Sequence, residues 1–245
     1  MDYFAIFAVL IAFIVKGLCG FANSLIFGSA MSFRADNIDI TPIDLILGAP
    51  SNIIMTIRER KSLSWRVYLP LCLIVIAGII PGALLLKHLD ATILKLVFGV
   101  SIIMVTAMML KEEFQKDVPQ KNSSRITLVL IAIVSGVMSG MFGIGAFLAA
   151  YVSRTTQNSS EFRANLCMVF FVQNTFRIIL YSVMGILTIP ILKQALILLP
   201  FMFIGLTIGM LISKRISDSA IKKVVIILLT LSGISLIANN LLLLL

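Results

Sequence analysis

Histidine is almost missing from this sequence of 245 residues: His88 is the only one, and it sits in a short polar break between apolar runs. Bis-histidine haem and histidine-rich metal centres are thereby excluded, and no metal or other cofactor is expected. Ser139-Gly140 has the look of a membrane serine protease, but no buried histidine exists to act as base for the hydroxyl. A relay of carboxylates through the apolar runs is missing too, so the chain is not expected to be an enzyme. Cysteine is scarce: Cys19, Cys72 and Cys167 all fall in apolar stretches, which argues against a disulfide framework. Charged residues make up only 13% of the chain and leave almost no room for a water-soluble domain.

What the chain has instead is apolar residue, 60% of the total, in runs near 20 residues that recur from end to end. Mean hydropathy is +1.09. These values read as an all-α polytopic membrane protein embedded in lipid. No signal peptide is expected, because Met1–Tyr3 carries no basic residue and the apolar run behind it continues past signal-peptide length. The formal charge of +9 would suit nucleic acid, but in a membrane protein it reads as basic loops held on the cytoplasmic side, and no nucleic-acid partner is expected.

The apolar segments run over 3–33, 42–57, 66–86, 91–110, 126–152, 163–184, 190–213 and 219–239. Most suit one helix across a hydrocarbon core of about 30 Å. The first and fifth are too long for one untilted span, and glycines break each of them near the middle. Thr41-Pro42 reads as a cap with proline at the first helical position. Arg58–Ser64 is a short charged turn, with Trp65 and Tyr68 placed for an interface belt. Ser217-Asp218-Ser219 reads as the cap of the last helix. Lys111–Arg125 is the one long polar stretch and divides the chain into a first repeat, 1–110, and a second, 126–245, with 111–125 as a cytoplasmic linker.

The halves echo each other. Gly78, Gly82, Lys87 and Lys95 match Gly205, Gly209, Lys214 and Lys222 at one offset of 127 residues. Gly17, Gly20 and Leu25 match Gly140, Gly143 and Leu148 at 123, and Ser51-Asn52 falls opposite Gln173-Asn174 at 122. Similar offsets in the same order of segments argue for a duplication.

Counting Lys and Arg selects a topology. If all eight segments span, each side holds nine basic residues, against the usual cytoplasmic excess. If segments one and five instead enter and leave on one face as re-entrant hairpins, one side collects 14 and the other keeps Arg34, Lys87, Lys95 and Lys193. The hairpin topology is preferred; it places both termini outside. Each half then holds a glycine-broken hairpin plus three transmembrane helices, an odd number, so the two repeats lie inverted across the membrane. That is a recurring plan of secondary transporters.

Irregular backbone at membrane depth is tolerated only where protein buries it or a cavity wets it. Tips at Gly17–Gly20 and Gly140–Gly145 would offer unpaired N–H groups at helix starts, which suit an anion. The plain alternative is that these glycines serve close helix contact. Lys16 stands just before the first tip and Arg177 lies mid-segment, where a charge costs about 3 kcal/mol and marks a functional path. No carboxylate is expected to lie comparably deep, with Asp44 near the start of its helix as the nearest. Two cations without a counter-ion point to an anionic ligand. Asn52, Gln173 and Asn174 read either as donors to an oxyanion or as interhelical glue. The substrate-binding candidates are Lys16, Gly17, Cys19, Gly20, Asn23, Ser51, Asn52, Ser139, Gly140, Gly143, Gly145, Gln173, Asn174 and Arg177, with Ser24 a weaker one.

Two four-element halves, each opening on a glycine-rich segment, GLCGFANS at 17–24 and GMFGIGAF at 140–147, resemble the sulfite exporter TauE/SafE family of membrane permeases. The resemblance covers essentially the full length. It implies transport of small sulfur-containing or carboxylic anions (sulfite, sulfonates, sulfo-acids) across a bacterial cytoplasmic membrane. This sequence carries Ala22 and Asn23, and Ala146 and Phe147, where the family's tips are glycine-rich. The expected function is therefore a secondary transporter of small anions with alternating access around a midplane site. An anion channel or a non-transporting membrane scaffold is the alternative.

Overall fold

The computed structural model describes residues 3–114, 125–146, 148–149, 152, 156, 158–213 and 218–241. Among these residues the chain is helical and contains no strand. The longer helices are α1 (Tyr3–Cys19), α2 (Asn23–Met31), α3 (Asn37–Arg58), α4 (Trp65–His88), α5 (Ala91–Phe114), α6 (Arg125–Phe142), α7 (Ser159–Val183), α8 (Ile189–Ile212) and α9 (Asp218–Leu241). Five of them, α3, α4, α5, α7 and α8, are long and apolar enough to cross a membrane. Between α6 and α7, Ala146, Leu148, Ala149 and Val152 are helical.

The two overlong apolar segments are each interrupted after one helix. α1 stops at Cys19 and α6 at Phe142, and the breaks are Gly20–Ala22 and 143–145. Gly20 has φ 89° and Gly143 φ 73°, left-handed values that end α1 and α6 sharply, and Ala22, at φ 74°, precedes the start of α2. α1 has 17 residues and α2 nine, so by the 1.5 Å rise they measure about 26 and 14 Å. Arg34, just past α2, stacks 4.2 Å over the ring of Phe4 at the start of α1. The two ends of the first broken segment are therefore neighbours.

Two expectations about helix limits are corrected. Gly17 and Gly140 are not in the tips but one turn inside α1 and α6. α3 begins at Asn37, not at Pro42, with Asp36 in extended conformation before it and Pro42 inside the helix. The polar first turn, Asn37 to Ile40, reads as loop in sequence because it breaks the apolar run. A proline near a helix start loses only one backbone bond, and such prolines are tolerated in membrane helices. The cap at Ser217 and the linker residues 115–124 lie outside the described residues.

Glycines fix the helix pairs. A Cβ on Gly17 would lie 2.5 Å from the Leu206 carbonyl oxygen and 2.9 Å from Gly209 Cα, and one on Gly78 would lie 2.9 Å from Gly136 Cα. Gly82 meets Gly140 Cα in the same way, at 3.0 Å. α1 is thus pressed on α8 and α6 on α4, backbone to backbone, as small residues permit. α5 pairs with α9, α3 with α7, α4 with α7 and α3 with α8. Exchanging each helix for its counterpart in the other half (α1 for α6, α3 for α7, α4 for α8, α5 for α9) maps this set of pairs onto itself: α1–α8 becomes α4–α6, α4–α7 becomes α3–α8, and α3–α7 and α5–α9 are unchanged.

Polar contacts at the helix ends tie loops together. Lys95 pairs with Asp36 at 2.9 Å, and Lys87 donates to the Met184 carbonyl at 2.6 Å. Elsewhere Glu59 pairs with Arg163 at 3.4 Å and accepts from Ser160, and the Ser64 N–H donates to Asn165 Oδ1 at 2.9 Å.

Candidate functional site

The four segments that meet at the breaks line a small, partly open cavity. From α1 comes Lys16, and from the start of α2 come Ala22, Asn23, Ser24 and Leu25. α3 contributes Asp44 and Asn52, eight residues and so about two turns apart on one face. Gly48 lies between them, where a Cβ would sit 3.2 Å from Asn174 Nδ2. The second break supplies Gly143, Gly145 and Ala146. α7 contributes Phe170, Gln173, Asn174 and Arg177, spaced by three and four residues along one helical stripe.

The charges are deeply placed. Lys16 and Arg177 are each only 1% exposed. The Lys16 side chain makes no hydrogen bond or ion pair among the described residues; its ammonium stands 5.8 Å from the Phe13 ring centroid. Arg177 donates from Nη2 to the Tyr181 hydroxyl at 3.0 Å, and that hydroxyl donates to the Gly140 carbonyl. Its Nε, buried, has no acceptor among the described residues. Tyr181 thus fixes Arg177 to the end of α6, with the guanidinium edge left for the cavity.

The carboxylate expected to lie shallow is part of the site, which corrects the reading of two cations without a counter-ion. Asp44 is 5% exposed. Its Oδ1 accepts from Asn23 Nδ2 at 2.8 Å and its Oδ2 from Ser24 Oγ at 2.5 Å. It makes no ion pair with Lys16 or Arg177, although Ser24 Oγ, Arg177 Nη1 and Asp44 Oδ2 all lie within 3.4 Å of the point where a Cβ on Gly143 would stand. With all three groups charged, the cavity carries one net positive charge.

The amides are unspent. Asn52, Gln173 and Asn174 make no hydrogen bond among the described residues, and Asn52 Oδ1 and Gln173 Oε1 are fully buried without a partner. Structural glue between helices would be satisfied, because an unpaired buried amide costs 1–3 kcal/mol by rough measure. At the start of α2, Ala22 provides no side-chain cap, so the first N–H groups of that helix also lack a side-chain acceptor.

Of the residues singled out in sequence, Lys16, Asn23, Asn52, Gly143, Gly145, Gln173, Asn174 and Arg177 line the cavity. Gly17 and Gly140 are spent on helix contact. Gly20 turns the chain against the Arg163 side chain, Cys19 bonds the Val15 and Phe21 carbonyls, and Ser51 bonds the Gly48 carbonyl. Ser139 is fully buried in α6, its hydroxyl without a partner among the described residues. Ala22, Leu25, Asp44, Ala146 and Phe170 also line the cavity and were not among the candidates.

Five helices of membrane length, with two further apolar segments broken beside a buried cationic cavity, define the class as a multi-pass membrane protein built to handle a small polar solute. The family model described as Sulfite exporter TauE/SafE matches residues 5–236, nearly the whole chain, and the chain belongs to that family. It is therefore a membrane transport protein. No curated protein and no solved structure matches it significantly.

Proposed function

We propose that the chain is a secondary transporter of small anions, above all sulfite, sulfonates and related sulfur-containing organic anions, in a bacterial cytoplasmic membrane. One observation carries the reading: Lys16 and the Arg177 edge, both buried, open into a cavity with three unspent amides. A small oxyanion fits that set, since its oxygens accept several hydrogen bonds and its charge offsets the excess cation. Lys16, Asn23, Asn52, Gly143, Gly145, Gln173, Asn174 and Arg177 are assigned to it.

The site belongs, on this reading, to two inverted repeats, 1–110 and 126–245, joined by a cytoplasmic linker, with alternating access as one repeat rocks on the other. The pairwise exchange of helix contacts supports the duplication. Four contacts agree with the hairpin topology, and three of them would be separated across the membrane if all eight segments spanned: Arg34–Phe4, Glu59–Arg163 and Lys87–Met184. Arg34 on Phe4 joins the two ends of the first broken segment. Lys95–Asp36 joins two loops assigned to the outer face, and Glu59–Arg163 two assigned to the cytoplasmic face. Lys87 on the Met184 carbonyl is the fourth. A cysteine replacing Arg34 is then labelled from outside and one replacing Asn158 from the cytoplasm; labelling of both from one face, as eight spans require, or the reverse order sinks the topology.

Proteoliposomes preloaded with unlabelled sulfite test the transport reading. Saturable exchange against external labelled sulfite is expected, and flux that stays linear in concentration points to a pore instead.

A further inference from the structure

We propose that Asp44 is the seat of a co-transported proton, so that one proton binds and crosses with each anion. The inference rests on the transport reading above and adds the coupling ion to it.

Two hydrogen bonds make Asp44 suited to change its protonation state in place. Asn23 Nδ2 donates to Oδ1 at 2.8 Å, a bond that both the ionised and the neutral carboxyl can accept, the ionised one more strongly. Ser24 Oγ stands 2.5 Å from Oδ2. A hydroxyl is both donor and acceptor, so Ser24 donates to the ionised carboxylate and, by rotating its hydrogen, accepts from the protonated one. No heavy atom has to move. Asp44 is held by these two neutral donors and not clamped by a cation. The charged groups that face it are Lys16 from α1 and Arg177 from α7, neither within ion-pair distance. α2 and the second break bring only Asn23, Ser24 and Gly143, none of which titrates in the physiological range. A metal cation fits worse, because the amide N–H on Oδ1 would point at it.

The proton and the anion act on one charge balance. Ionised Asp44 leaves the cavity with one net positive charge, and protonation raises that to two. The anion therefore prefers the protonated form, and by linkage the proton binds more tightly beside the anion. The same carboxylate lies against Gly143 at the second break, where Oδ2, Ser24 Oγ and Arg177 Nη1 crowd the glycine. A proton at Oδ2 is thus felt at the broken element that alternating access has to move. The step is a simple transfer: the proton comes from water on the entry side to Oδ2 and returns to water on the exit side.

Methanesulfonate, ionised throughout the useful pH range, separates protonation of the protein from protonation of the ligand. Its Kd for the purified full-length protein is measured from about pH 5.5 to about pH 8.5. Affinity is expected to fall about tenfold per pH unit on the alkaline side, the mark of one co-bound proton. In Asp44→Asn the profile is expected to be flat to within about twofold. Ser24→Ala keeps the carboxyl and is expected to displace the midpoint, so it decides the matter even where Asp44→Asn does not fold. A flat wild-type profile, a sloping one in Asp44→Asn, or an unmoved midpoint in Ser24→Ala overturns the proposal while leaving anion transport intact. Absence of methanesulfonate and sulfite binding at every pH overturns the transport reading, and the proton site falls with it.

Discussion

At the first break the chain passes through Gly20, Phe21 and Ala22; at the second, through Gly143, Ile144 and Gly145, at positions 123 residues further on. Both begin with a glycine at positive φ, 89° and 73°. Both follow a helix held to its neighbour by a glycine one turn earlier, Gly17 on α8 and Gly140 on α4. Side chains separate them. Lys16 precedes the first break and Asn23-Ser24 follows it, all lining the cavity, while the equivalent of Lys16 is Ser139, which does not line it. Gly20 turns against the aliphatic stem of Arg163, and Gly143 turns against Ser24, Arg177 and Asp44. Duplicated backbone sets where a helix can end; the residues one turn either side decide whether that end holds charge. The site is consequently asymmetric, with Lys16 and Asp44 from the first half and Arg177 from the second.

The largest effect is expected where the halves agree. In Gly17→Val and in Gly140→Val the new side chain meets backbone across α1–α8 or α4–α6, which cannot yield as a side-chain tip would. Each should lose about 3 kcal/mol, the upper end for overpacking, and fail to elute as a monodisperse species in size exclusion. If one variant folds and only its transport changes, the two helix contacts are not equivalent.

Where the halves differ in charge, the loss should fall chiefly on binding. Lys16→Ala and Arg177→Ala each remove a buried cation from the cavity, and truncating a desolvated charge partner costs about 2 kcal/mol or more, some 30-fold in Kd for sulfite. Lys16→Ala should melt within a few degrees of the parent, since the Lys16 side chain forms no hydrogen bond or ion pair among the described residues. Arg177→Ala, which also loses the bond to Tyr181 and its own buried volume, should melt lower. Unchanged affinity in both would show that the anion binds elsewhere.

The breaks themselves should respond with opposite signs. Gly143→Ala puts a Cβ 3.0 Å from Ser24 Oγ at φ 73°, and should destabilise by about 2 kcal/mol through strain and crowding. Ala22→Gly relieves a left-handed alanine at φ 74° and should stabilise by about 1 kcal/mol. Chemical melts followed by intrinsic fluorescence read both, and a loss in Ala22→Gly would mean that the first break is held by its side chain rather than its backbone.

How much of this was legible before the structure depends on which signal each residue gives. The helices follow from apolar runs of membrane length, and the two breaks from glycines inside runs too long to be one helix. Lys16 and Arg177 stand out because charge in lipid is costly enough to need a reason. Asp44 did not, for a local reason: with Pro42 read as the first helical residue, Asp44 falls in the first turn, a common place for an acid. The helix starts five residues earlier at Asn37, which carries Asp44 two turns in and away from either end. Phe170 gave no signal, being one aromatic among many on an apolar helix. Glycines are ambiguous in sequence because close helix contact and a chain reversal need the same missing Cβ. Only the three-dimensional neighbours separate Gly17 and Gly140, which touch backbone, from Gly143, which touches the site.

The smallest effect concerns the counterpart of Lys16. One turn before Ser139 in α6, Ser135 Oγ donates to the Ile131 carbonyl at 2.6 Å, the usual way a serine satisfies itself in a membrane helix. Ser139, equally buried, has no partner for its hydroxyl among the described residues. An unpaired buried hydroxyl costs about 1 kcal/mol, and alanine removes it while leaving little empty space. Ser139→Ala should therefore stabilise by about that amount in a chemical melt, with sulfite affinity changed by less than about twofold. A tenfold loss of affinity would instead place the hydroxyl on the anion's path, and the second break would then mirror the first in chemistry as well as in backbone.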